Sequence, residues 1–224
     1  MKKELNILTV DDHEMSMMGY KYILESTVFD DFTVKIDTAN TYESAVLKLE
    51  ESVKIHTYDI VFLDVQLSPF SNTVKKQNGE DLGVLVRKLS PESKIIFLTT
   101  YGDSYRINSI LNSVNPDGYL VKTEINEVTL KEMLVKVMSG EPFYSKKALT
   151  AIRKRMANDI SLDESDKLIL FHLSIGTKTK DLINFIPLSL PSIENRKRHL
   201  KVLFEIERQN DQALINEAKK RGFV

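Results

Sequence analysis

Leu5-Asn6-Ile7-Leu8-Thr9-Val10-Asp11-Asp12 sets a short apolar run directly against two adjacent acids. A run of this length rich in aliphatic residues reads as a buried strand, and the acids mark its carboxyl end. Residues 32–38, 59–64, 94–99 and 119–121 repeat the pattern, with Asp64, Thr99 and the Tyr119 to Lys122 segment at or just past their ends. Between them, Met15, Met18 and Tyr22, then Ala45 and Leu49, then Leu82, Leu85, Val86 and Leu89 recur at helical spacing. These stripes are expected to face the core. Strand and helix alternating through residue 138 predicts an α/β fold, a doubly wound five-stranded parallel sheet.

In such a sheet, side chains at the carboxyl ends of neighbouring strands converge on one crevice. Asp11, Asp12, Asp64, Thr99, Tyr119 and Lys122, far apart in sequence, would therefore surround one reacting atom. Two acids past one strand and a third on its neighbour form an oxygen-rich pocket suited to Mg²⁺, which prefers carboxylate and water oxygens. A carboxylate that attacks a phosphoryl group must overcome charge repulsion, and a metal ion together with an ammonium such as Lys122 would offset it. Thr99 supplies a hydroxyl that can donate to a phosphoryl oxygen once one is present.

The whole chain of 224 residues is long enough for two domains, and 42% hydrophobic with 28% charged residues is the composition of a soluble globular protein. No apolar run approaches the ~18 residues of a membrane span. The N-terminus passes straight into a strand-like run, without a signal-peptide pattern. With no cysteine, disulfides, thiol catalysis and cysteine-ligated zinc are excluded. A cytoplasmic location with no membrane partner is the expectation. Residues 161–224 hold 11 of the 31 Lys and Arg but 9 of the 32 Asp and Glu. That mild excess permits nucleic-acid binding without demanding it.

After residue 138 the pattern changes. Ser139-Gly140-Glu141-Pro142 breaks the preceding helix, and a basic helical segment, residues 146–156, leads to Asn158-Asp159. The expected organisation is residues 1–138, a linker over 139–160, and an all-helical domain over 161–224. In that domain Asp163 reads as an N-cap, Gly176 as a helix stop, residues 179–185 as a short helix and residues 192–205 as a third. Arg196, Lys197, Arg198, His199 and Lys201 lie on this third helix beside Glu194, with Ile193, Leu200, Leu203 and Phe204 at inward spacing. Helix, tight turn and helix is the geometry that sets a second helix into the major groove of DNA.

Val10-Asp11-Asp12-His13, Ile60-Val61-Phe62-Leu63-Asp64, Phe97-Leu98-Thr99-Thr100-Tyr101 and Gly118-Tyr119-Leu120-Val121-Lys122 resemble the motifs of the receiver domain of bacterial two-component response regulators. The resemblance spans residues 4–138 and implies a flavodoxin-like fold. It implies Asp64 as phosphoacceptor, and Asp11, Asp12 and Asp64 with the backbone carbonyl of Gln66 as the Mg²⁺ ligands. Thr99 would be the switch hydroxyl, Tyr119 the rotating switch aromatic and Lys122 the phosphate partner. His13, common at this place in the family, is read as a solvated neighbour with no role.

Residues 162–204 are similar to the helix-turn-helix module of the NarL/LuxR class, through Gly176, Asp181-Leu182-Ile183, Leu188-Ser189, Ser192-Ile193, Leu200 and Phe204. That similarity implies DNA contacts from Ser192, Asn195, Arg196, Lys197, Arg198, His199 and Lys201. Glu194 stands where the class is usually basic, which leaves a protein-binding output as the alternative. Together the resemblances imply a regulator that is not itself an enzyme. A sensor histidine kinase would phosphorylate it, and it would form a homodimer on promoter DNA.

Two features depart from the receiver pattern. Residues 68–78 lengthen the loop after the phosphoacceptor and carry Lys75-Lys76, and Thr100 stands where alanine is usual. A haloacid-dehalogenase-like hydrolase also uses a strand-end aspartate, but it needs a second acid two residues on, where this chain has Gln66.

Overall fold

The structure is a computed structural model that describes residues 2–67, 78–100, 104–156 and 160–224. The segment after the phosphoacceptor candidate with Lys75-Lys76, Tyr101 and Asn158-Asp159 lie outside the described residues. The chain divides into two compact units, Met1–Tyr101 with Ile110–Ala148 and Gly102–Ser109 with Leu149–Val224.

In the first unit β1 (Lys3–Val10), α1 (Glu14–Ser26), β2 (Phe32–Ala39), α2 (Tyr42–Ile55), β3 (Ile60–Leu63), α3 (Gly79–Leu89) and β4 (Lys94–Thr99) follow in turn. Then come α4 (Ser104–Ser113), which spans the division between the units, β5 (Gly118–Val121), a 3-10 turn (Lys122–Glu124), α5 (Glu127–Met138) and β6 (Phe143–Tyr144). The strands form one parallel sheet in the order β2-β1-β3-β4-β5-β6, the flavodoxin-like arrangement with a strand added at one edge. Among the described residues the sheet thus has six strands and not the expected five. Phe143 and Tyr144 fall within the stretch read as linker, yet Phe143 N donates to Asp117 O and Ser145 N to Tyr119 O, pairing this piece with the open edge of β5. A two-residue strand carries too little periodicity to be seen in sequence.

Leu5, Ile7, Ile36, Ile60, Phe62, Ile96, Leu98 and Leu120 from the strands pack with Tyr20 and Leu24 of α1 and Leu130, Met133 and Leu134 of α5. On α1 the sequence expectation has the wrong phase. Met17, Tyr20 and Leu24 are buried, whereas Met15 is 85% exposed and Tyr22 77%, with Met18 also exposed. Both sets satisfy a helical period, so periodicity alone does not choose between them. Ala45, Leu49, Leu82 and Val86 are buried as expected.

The N-terminal ends of β4 and β5 are tied by Arg87. Its guanidinium donates to Val114 O, Ser93 O, Asn115 O and Asp117 Oδ2, at 2.7 to 3.0 Å. Asp117 also accepts from Lys94 Nζ and Ile95 N. Its burial acts to raise its pKa, but these donors outweigh that and hold the carboxyl below the usual range.

The second unit contains α7 (Glu164–Ser174), a 3-10 helix (Thr179–Asn184), α8 (Leu190–Leu203) and α9 (Asp211–Lys220), with α6 (Lys146–Met156) leading into it. Asp163 caps α7 by accepting from Asp166 N, and Gly176 takes φ +91°, the left-handed conformation that ends a helix. The short helix expected over residues 179–185 is a 3-10 helix, Thr179–Asn184. Ser189 caps α8, which begins at Leu190, two residues before the expected start at residue 192. Leu162, Ile169, Leu170, Leu182, Ile193, Leu200, Phe204, Leu214 and Phe223 form its core. Among the described residues no helix is long and apolar enough to cross a membrane.

Candidate functional site

Strand register brings the site together. Val10 pairs with Leu63, Leu63 with Phe97 and Thr99 with Val121, so the carboxyl ends of β1, β3, β4 and β5 stand side by side. Asp64 N donates to Val10 O and Asp11 N to Ala39 O, which carries the ladder one residue past the strands and fixes both acids at the rim. Asp11 and Asp64 are buried, at 1% and 3% exposure, while Asp12 is half-buried.

Lys122 Nζ lies 2.6 Å from Asp64 Oδ2 and 2.7 Å from Asp11 Oδ2. Burial alone would lower the lysine pKa, but the two carboxylates override it and raise it, so the ammonium stays charged. Asp64 Oδ1 accepts from Gln66 N at 3.3 Å, and Gln66 itself is exposed. Thr99 is fully buried at the end of β4, and Thr100 is exposed beside it. Tyr119 is also fully buried, its ring stacked with Phe97 at a centroid distance of 6.1 Å.

One carboxylate oxygen from each of Asp11, Asp12 and Asp64, with an imidazole nitrogen of His13, lie within 4.8 Å of one another. Three carboxylates so grouped are a hard-oxygen donor set that fits Mg²⁺. The backbone N–H of His13 donates to Asp11 Oδ1, and its ring Nδ1 lies 2.7 Å from Asp12 Oδ1. It helps to hold both acids in place.

Two further residues, Tyr20 and Gly79, border the acids. Burial, then the negative charges of Asp11 and Asp64, push the Tyr20 phenol well above its ordinary pKa, which keeps it protonated behind the acids. Gly79 N donates to Val65 O, and α3 begins against the Asp64 backbone. Asn78 caps that start, accepting from Glu80 N and Asp81 N while Asp81 accepts from Asn78 N. The Asn78-Gly79 pair was the visible signal for Gly79. Tyr20 left none, since it sits in an apolar pattern.

In the second unit α8 carries the basic residues expected at DNA, but it does not present them together. Arg196 Nη1 lies 2.6 Å from Asp163 Oδ2 and 2.9 Å from Asp166 Oδ1. Lys197 is buried, and Lys201 is half-buried against Asp211. Ser192 Oγ sits 2.9 Å from the capping Ser189 Oγ. Asn195, Arg198 and His199 are exposed. His172 is half-buried, stacked on Phe185 at 4.5 Å, and desolvation lowers its pKa.

A family model described as the response regulator receiver domain matches residues 7–135. The chain is 23% identical over 205 residues to the nitrate/nitrite response regulator protein homolog of Haemophilus influenzae, covering 89% of this chain and 90% of that protein. It is 27% identical over 201 residues to the transcriptional regulatory protein ComA of Bacillus subtilis, covering 84% and 86%. Among solved structures it is similar to two RcsB dimers bound to two parallel DNAs, with a TM-score of 0.63 at 17% identity over 97% of this chain and 99% of that one. RcsB from Salmonella enterica serovar Typhimurium, bound to a promoter with a phosphomimetic present, gives 0.62 at 18% over 96% and 98%. These likenesses show a shared fold in both units.

Proposed function

The chain belongs to the response regulator receiver family, and from that membership we propose that Asp64 accepts a phosphoryl group from a sensor histidine kinase and that the C-terminal module binds promoter DNA in response. The observation that carries the first half is Lys122 Nζ bridging Asp64 and Asp11 at 2.6 and 2.7 Å. An ammonium so placed can pass from the free carboxylate to an incoming phosphoryl oxygen without leaving the crevice. In the transfer, Asp64 Oδ forms a bond to phosphorus as the phosphohistidine N–P bond breaks, and the imidazole leaves.

Asp11, Asp12, Asp64 and the Gln66 carbonyl would hold Mg²⁺. Bound there, the metal would supply charge neutralisation for the phosphoryl oxygens. Lys122 would add its positive charge to that neutralisation, and His13 contacts both Asp11 and Asp12. Thr99 and Tyr119 form the switch, because a phosphoryl oxygen interacts differently with a near hydroxyl and a distant one, and only such a difference shifts populations. The shift would favour a homodimer. We assign residues 1–138 to the receiver, 139–160, whose first part adds β6 to the receiver sheet, to the linker, and 161–224 to the DNA-binding module.

The output half is supported by the fold shared with DNA-bound RcsB and by the relatedness to ComA, a transcriptional regulatory protein. Treating the full chain with acetyl phosphate and Mg²⁺, then measuring mass, sedimentation and retention of genomic fragments on one sample, tests each link. A phosphate adduct, a larger species and retained DNA are expected, all lost with chelator. An adduct without any DNA retention would reject the output half alone.

A further inference from the structure

The two sides of α8 divide its charges. Ile193, Lys197, Leu200 and Phe204 are buried, and Pro191, Glu194, Asn195, Arg198, His199 and Val202 form the opposite, exposed side at spacings of three and four. Lys197 is only 5% exposed, an uncommon state for lysine. Its Nζ is 2.7 Å from Thr179 Oγ1, 2.7 Å from Asp211 Oδ2 and 3.4 Å from Glu194 Oε2. Lys201 takes the other oxygen of Asp211 at 2.9 Å, and Arg196 takes Asp163 and Asp166. Burial works to raise the Asp211 pKa, and the two lysines overcome it and hold the carboxyl below its usual range.

To reach a phosphate, each of these cations would have to abandon a carboxylate. Asp166, itself buried, would then be left without its ion pair, which costs more than an exposed phosphate contact returns. Among the described residues, Arg198 is the α8 cation that pairs with no carboxylate; its Nη1 lies 3.4 Å from Asn195 Oδ1. The side left for DNA is one acid, one amide, one guanidinium, one imidazole and the apolar Pro191 and Val202. An acid repels phosphate, so at a groove it gains only where it meets an amino donor on a base edge.

We propose that α8 is a base-reading helix using Glu194, Asn195 and Arg198, while Arg196, Lys197 and Lys201 act as internal ties of the module. The inference rests on the DNA-binding reading above. Glu194 accepts from a cytosine amino group, Asn195 pairs with adenine and Arg198 with guanine, the matches their donors and acceptors dictate. Lys197, 3.4 Å from Glu194, offsets part of its charge and orients it. With Arg198, among the described residues, as its one cation free of a carboxylate, α8 itself adds few phosphate contacts, so its own share of the salt dependence is shallow.

The test is selection from a randomised duplex library by the full-length protein treated with acetyl phosphate and Mg²⁺, alongside Glu194→Ala, Asn195→Ala and Arg198→Ala. All three sites are exposed, so thermal melts should match the parent. The parent is expected to enrich a motif, and each variant to lose preference at one position, cytosine, adenine or guanine in turn, by about tenfold. A motif unchanged in all three variants would overturn the inference and leave the DNA-binding reading standing. No enriched sequence with the parent, despite a phosphate adduct, would overturn both and turn the exposed side of α8 into a protein-docking face.

Discussion

A β-carbon on Gly79 would sit 1.8 Å from the backbone oxygen of Asp64. The first residue of α3 thus rests on the peptide that carries the candidate phosphoacceptor, and no side chain fits between them. The obstructing atom is backbone, so it cannot rotate away. Gly79→Ala is expected to cost about 1–3 kcal/mol or more, by overpacking, and to slow phosphate uptake by displacing Asp64. Thermal unfolding and labelling check both, and an unchanged melt would show that α3 can shift freely.

The phase of α1 gives a second expectation. Met17→Ala should destabilise by about 2–5 kcal/mol, the range for emptying a buried site. Met15→Ala should change stability by no more than about 0.5 kcal/mol, as exposed substitutions do. Denaturant titration of the two variants separates them, and equal losses would contradict the burial of Met17 against the exposure of Met15.

Asp117 gives a pH dependence. Its folded pKa is lowered, so its contribution is present above the ordinary aspartate range and is lost as pH falls through the folded value. Denaturation at neutral pH and then at acid pH should show the parent losing more stability than Asp117→Asn, which has no such proton to take up. A variant with the parent's full acid sensitivity would remove the Arg87–Asp117 ion pair from the account.

Much of this was legible in the chain because it depends on short-range pattern. Four of the five longer strands fall where apolar runs end at Asp11, Asp64, Thr99 and Lys122, and parallel register alone suffices to gather those ends. What was not legible depends on tertiary contact. The Met15 and Met17 stripes on α1 are equally helical, and only the sheet selects one. β6 is two residues long and exists because β5 leaves an edge to pair. On α8 composition shows a basic helix, but Asp163, Asp166 and Asp211, which take up Arg196, Lys197 and Lys201, come from other elements.

Thr99 separates labelling from response. Thr99→Ala keeps Asp11, Asp12, Asp64 and Lys122, so it should take up phosphate like the parent. Without the hydroxyl the phosphoryl group has less to favour one state over the other, and the dimer shift should fail. Sedimentation with and without acetyl phosphate reads this directly, and a normal shift would take Thr99 out of the switch.

The central claim is that Asp64 is the phosphoacceptor, held by Lys122 and the Asp11 and Asp12 pair. Intact-mass measurement of the full-length protein and of Asp64→Asn, each incubated with acetyl phosphate and Mg²⁺, tests it most directly. The parent should gain the mass of one phosphoryl group, lose that gain when chelator is added first, and the variant should gain none. An undiminished adduct on Asp64→Asn would contradict the account.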